Sequence, residues 1–167
     1  MKYLLAVLIL GAAALNAAAE TTPQRLFHIE RNKNANIVVY DVMVLPDGNL
    51  PEKDKDTVDV YWLKLAEDGE RKGLKKIERK MAYGLDIEGR EGNRLTIKMK
   101  ADIGRLVTVE AVDGTYLAFL DINDRPAVLE KVFIFATEGG VMPTVEYIEL
   151  FGTDRESGEE AYEKFEP

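Results

Sequence analysis

Cysteine is absent from the 167 residues, and histidine, tryptophan and serine occur once each, as His28, Trp62 and Ser157. Each scarcity removes a chemistry. Without cysteine there is no disulfide framework, no thiolate nucleophile and no thiolate metal site. A lone histidine rules out the two-histidine zinc motif and the two-histidine facial triad. Ser157 stands in an acidic stretch without a Gly-x-Ser-x-Gly context, so a Ser-His-Asp enzyme has no nucleophile to hold against a base. "GREGNR" (89–94) has two glycines but no strand-to-helix setting, so no phosphate loop is expected. Beyond residue 19 no apolar run nears the ~20 residues of a bilayer span. A formal charge of −8 argues against generic nucleic-acid binding.

The chain begins with Lys2, an apolar run from Tyr3 to Leu15 and the small residues Ala17-Ala18-Ala19. This is the build of a secretory signal peptide over 1–19, which places the mature protein in the periplasm or outside the cell. No cysteine follows the run, so lipid attachment there is excluded. One β-rich domain is expected over 20–152, of a size that can fold without disulfides or metal.

Past the leader the dominant period is two. "RLFHIER" sets Leu26, His28 and Glu30 against Phe27 and Ile29, and "RLTIKMK" (94–100) turns Leu95, Ile97 and Met99 to one side. "IVVYDVMVL" (37–45) and "VDVYWLKLA" (58–66) read as strands covered on both faces. "RLVTVEAV", "TYLAFLDI", "AVLEKVFIFA" and "TVEYIELF" form a meander joined by "DG" (113–114), "NDRP" (123–126) and "EGGVMP" (138–143). Asp-Gly suits the positive φ of a tight hairpin. One stretch breaks the period: Leu74, Ile77 and Met81 recur at helical spacing, opposite a basic face over 71–80, with Gly84 as the stop. The last residues, 153–167, are acidic and read as a disordered tail, able to fold back on that basic face.

About eight strands and one short amphipathic helix (about 74–83) make an all-β protein. Two architectures fit, an antiparallel up-and-down barrel of calycin-like form and a two-layer sandwich, and consecutive hairpins favour the barrel.

The chemistry left is that of carboxylates and binding surfaces. Glu30, Asp41 and Glu78 each interrupt an apolar or basic stretch, and two such acids at the right separation could cleave a glycosidic bond. Each is more simply a paired structural carboxylate. His28, Glu30 and Arg31 make a polar cluster at a strand end, followed by an asparagine-rich turn, Asn32, Asn34 and Asn36. With Tyr40 and Tyr83 they could rim a ligand cavity. The basic helix face could meet an acidic partner or anionic lipid, although a solvated face with snorkelling lysines explains it as well. "LPDGNLPEKDKD" (45–56) lacks the third ligand and closing glutamate of a calcium loop.

Four segments together are distinctive: "FHIERNKNANIVVYDV" (27–42), "VDVYW" (58–62), "IERKMAYGL" (77–85) and "VEYIELFGTD" (145–154). They resemble an uncharacterised family of exported bacterial proteins, domain of unknown function 4833. The resemblance implies export and one compact domain, and it carries over no catalytic residue. The reading that follows is a non-catalytic exported β domain binding a small, mostly apolar ligand, through His28, Glu30, Arg31, Tyr40, Asp41, Glu78 and Tyr83. An envelope interaction module and a carboxylate-dependent glycan hydrolase are the alternatives. No cofactor, metal or nucleic acid is expected.

Overall fold

A computed structural model describes residues 20–32, 34–101, 103–137 and 143–167. The expected signal peptide lies outside the described residues, as does most of the 138–143 turn. Eleven strands among the described residues join in one sheet: β1 (Thr22–Arg31), β2 (Asn34–Val44), β3 (Val58–Lys64), β4 (Glu70–Gly73), β5 (Leu85–Glu91), β6 (Arg94–Met99), β7 (Val107–Val112), β8 (Thr115–Ile122), β9 (Arg125–Thr137), β10 (Thr144–Asp154) and β11 (Glu160–Phe165). The all-β class with one short helix is as expected, and the sheet curls into a half-barrel. No helix among the described residues is long and apolar enough to cross a membrane.

Strand β9 is the hub. Its first half pairs antiparallel with β8, from Ile122↔Arg125 to Phe119↔Val128. Its second half pairs parallel with β1, from His28↔Lys131 to Arg31↔Ile134. The other edge is taken by β10 along most of its length. Two arms therefore leave one edge of β9: β1-β2-β3-β4 and β8-β7-β6-β5. A bulge makes the switch possible. Phe151 faces Lys131 but Gly152 faces Leu129, so Glu130 is the extra residue. Inward-facing residues accordingly change parity, from Ala127 and Leu129 to Val132 and Ile134. At this point the strands come so close that a Cβ on Gly152 would lie 2.0 Å from the Val128 carbonyl oxygen. Only glycine fits there.

The inner faces of both arms share one core. From the first arm come Phe27, Ile29, Val38, Tyr40, Val60 and Trp62; from the second, Leu95, Ile97, Val109, Tyr116 and Leu120; β9 adds Leu129. Phe27 and Tyr40 stack with centroids 4.5 Å apart. These rings and branched side chains fill the interior, so a ligand held inside a closed barrel is not what this fold offers. Asp113 and Gly114, at φ 50° and 82°, form the tight hairpin that the Asp-Gly pair predicts. Beyond β1, the Asn32 side chain accepts from the Ala136 N–H and donates to the Ala136 carbonyl, both at 2.9 Å. It stands in for a peptide unit and lengthens the β1–β9 ladder.

Two expectations need correction. The helix over 74–83 is shorter and irregular: one α-turn at Lys76–Glu78 and a wider π-turn at Arg79–Tyr83. The wide turn shifts the period, so Ile77 and Met81 are 64% and 54% exposed while Tyr83 is buried. The acidic end is no disordered tail. Residues 160–165 form β11, paired with β10 from Ile148↔Phe165 to Thr153↔Glu160. Composition hid a period-two pattern in which Ala161 is buried and Phe165 packs against the core. Arg105 takes both Glu163 carboxylate oxygens at 2.8 Å, and the Asn123 N–H donates to the same group at 2.5 Å. That pairing holds the Glu163 carboxyl below its ordinary range, with partial burial opposing. The ion pairs of the tail's acids among the described residues thus run from Glu163 to Arg105 and from Asp154 to Arg125, not to the basic 71–80 face.

Candidate functional site

The seven residues singled out from sequence do not form one site. Alternation along β1 and β2 sends them to both sides of the sheet. On the outer face Arg25, Asp41 and Asp59 fall in one row across three strands. Arg25 Nε donates to Asp41 Oδ1 at 2.6 Å and the Tyr61 hydroxyl donates to Oδ2 at 2.7 Å. Arg71 lies 3.8 Å from the centre of the Tyr61 ring and pairs with Asp59. Burial works against the Arg25 charge, but the Asp41 hydrogen bond and charge outweigh it and raise its pKa. Burial raises the Tyr61 hydroxyl, and Asp41 adds to the shift. Asp41 is therefore tied on both oxygens, a cross-strand clamp rather than a free acid.

His28 and Glu30 are also on the outer face, one row along. Their side chains meet at 3.2 Å, and Lys131 Nζ approaches Glu30 at 3.6 Å. Glu78, third residue of the helical turn, reaches back to its start, accepting from the Lys75 N–H at 2.7 Å and from Trp62 Nε1 at 3.4 Å. It acts as a local cap. Glu30, Asp41 and Glu78 thus belong to three separate clusters, and no two share a cleft. A paired-carboxylate arrangement for glycan cleavage finds no support in them.

Arg31, Tyr40 and Tyr83 do converge. The unbroken parallel register with β9 carries on from Ile29↔Val132 to Arg31↔Ile134, which sets Arg31 level with an inward position of β9. Arg31 Nη1 donates to the Tyr83 hydroxyl at 2.9 Å, and the Tyr40 hydroxyl donates to the Tyr83 carbonyl at 2.6 Å. Complete burial pushes the Tyr40 hydroxyl far upward, so it stays a donor. The Trp62 ring meets Tyr83 edge-on at 5.1 Å. Tyr83 is thereby held at its backbone, ring and hydroxyl.

Above this pair opens a groove of about 210 Å³ at the end of the half-barrel. Arg31, Tyr83 and Lys100 supply its polar side, and Met81, Ala82, Ala101, Ile134, Pro143 and Val145 its apolar walls. Met81 and Val145 are exposed at the rim. Lys100 pairs with Asp86, whereas Arg31 has no carboxylate partner among the described residues. The arrangement offers one cation, oriented by a phenol, at the base of an apolar trough. It suits a ligand with one acidic group and an apolar body.

Sequence reasoning named Arg31 and Tyr83 but missed Lys100, Met81 and Val145. Met81 was legible only as a core residue, because the helical period hides the wide turn. No group of three or more metal-ligating side chains occurs among the described residues. Asp47 lies on an exposed turn, where it accepts from the N–H and the side chain of Asn49, which holds its carboxyl below the ordinary range.

One family model, Domain of unknown function (DUF4833), matches residues 27–164. No curated protein and no solved structure matches the chain.

Proposed function

The chain belongs to the DUF4833 family, which carries no assigned activity, and we propose that it is a non-catalytic binding domain. Its ligand is a small amphipathic anion, an apolar body with one carboxylate or similar group, seated in the groove over Arg31 and Tyr83. One observation carries this reading: the Arg31 guanidinium is aimed by the Tyr83 hydroxyl at 2.9 Å and has no carboxylate partner among the described residues. A cation fixed in place and left without a counter-charge is prepared for an incoming anion. The apolar walls supply most of the affinity and the guanidinium the orientation. The leader-like 1–19 segment supports a place outside the cytoplasm.

Decanoate titrated into the full chain, followed by calorimetry and by methyl shifts of Met81 and Ile134, tests the proposal. Binding should weaken at least tenfold in Arg31→Gln while the unfolding midpoint holds, and decanol should bind markedly less well than decanoate. Equal affinity of acid and alcohol, or shifts confined to other parts of the molecule, would sink it.

A further inference from the structure

The half-barrel stops short of closing, and the gap has an unusual construction. The strand order ends at β5 on one arm, and on the other β4 covers only residues 61–64 of β3. Residues 58–60 of β3, paired with β2 on one side, and β5, paired with β6, therefore each keep an outer edge with no strand partner among the described residues. The two edges face each other across a cleft of about 390 Å³, with Val58 and Val60 on one wall and Leu85 and Ile87 on the other. It runs on, past Lys55, Val58 and Arg79, into a wider recess of about 790 Å³ beside Lys53 and Asp59.

Both ends of the cleft are strapped. At one end Arg90, on β5, donates to the Pro51 carbonyl at 2.7 Å and the Glu52 carbonyl at 3.2 Å, and pairs with Asp54 at 3.1 Å. Leu50 N–H donates to the Asn93 side chain at 3.0 Å, fastening the same loop to the β5–β6 turn. At the other end the helical turn 76–83 spans from β4 to β5. The edges of β3 and β5 are thus held at a set separation with no strand ladder between them, and the gap is a built window rather than a frayed edge.

The charges in the window are asymmetric. Its acids are mostly spent elsewhere: Asp54 on Arg90, Asp59 on Arg71 and Asp86 on Lys100. Lys53, Lys55 and Arg79 have no carboxylate partner among the described residues, against one such acid, Asp56, in the recess. Arg79 instead reaches the open edge of β3, donating to the Val60 carbonyl at 3.4 Å. A guanidinium there satisfies an edge carbonyl that a neighbouring strand would otherwise take.

We propose that this window accepts an extended peptide segment of a partner protein, added as a strand beside β3 or β5, with an acidic side chain meeting Lys55 and Arg79. Three features select that partner. Free main-chain edges recognise extended backbone, as in strand addition. Alternate side chains of the incoming strand meet the apolar walls, so β-branched residues fit. The unpaired cations select acidic residues at the positions between. Arg79 then releases the Val60 carbonyl to the peptide and pairs with its carboxylate. A membrane or a nucleic acid does not present backbone of this kind.

The test begins by panning a displayed library of random octapeptides with the full chain. Enriched sequences should alternate β-branched residues with Asp or Glu. The best synthetic peptide should then slow amide exchange at Val58, Val60, Leu85 or Ile87. Lys55→Glu and Arg79→Gln, both at exposed positions, should each weaken it at least fivefold. Lys55→Glu should also favour the version with Lys in place of Glu. No enrichment, enrichment of basic sequences, or protection at other strands overturns the proposal. So does protection at these amides without peptide that grows with protein concentration, because the occupant is then a second copy of the chain. Decanoate binding at Arg31 is read separately, so the two sites stand or fall independently.

Discussion

The hub at β9 and the window between β3 and β5 are two places where the sheet departs from regular pairing, and they are built in opposite ways. At the hub β9 gives one edge to β10 and the other to β8 and then β1. The close approach there is made by a glycine and a bulge. At the window two edges are left without strand partners, and the residues around them are cations and loop straps. The contrast separates packing from availability. The hub is where stability is concentrated, and the window is where hydrogen-bonding capacity is kept in reserve.

Three measurements can break or sharpen that contrast. The largest effect is expected from Gly152→Ala, whose added carbon meets the Val128 carbonyl. Urea unfolding should show a loss of about 3 kcal/mol, the upper end for overpacking a tight site. A loss below about 0.5 kcal/mol, the level of an ordinary surface change, would show that the hub is loose. Next comes the β11 anchor. Because the folded Glu163 pKa is depressed by Arg105, its stabilisation is present above the unfolded value near 4.5 and is lost as pH falls through the folded value. Glu163→Gln should cost about 1 kcal/mol at neutral pH. It should also flatten the acid limb of the stability–pH curve, and an unchanged limb would remove Glu163 from the account. The smallest effect belongs to the window: Lys55→Ala should leave the unfolding free energy from urea titration within about 0.5 kcal/mol of the parent. A large loss there would mean that the window cations serve packing.

Much of the architecture is legible in the residues. Alternation placed Leu95, Ile97 and Met99 inward, where they are buried, and Asp113-Gly114 announced its hairpin. What stayed hidden has physical causes. The parallel β1–β9 pair joins distant segments that carry no local signal, and the Glu130 bulge reverses the parity on which alternation depends. The wide turn at Arg79–Tyr83 defeats a 3.6-residue period. Asp41 was a fair object of suspicion, yet its partner Arg25 is found only through the β1–β2 register. Arg31 and Tyr83 were named one by one, and only the fold brings them together.

The order in which the chain is made gives the Asn32–Ala136 bridge a meaning in time. These residues are separated by 104 positions, so β1 cannot complete its ladder until β9 has been synthesised. A contact so distant along the chain must be reached before it can reward the loss of chain entropy, which slows folding. The polypeptide therefore stays open while most of its length is produced. β1 can pair with β2 early, but its second edge waits for β9.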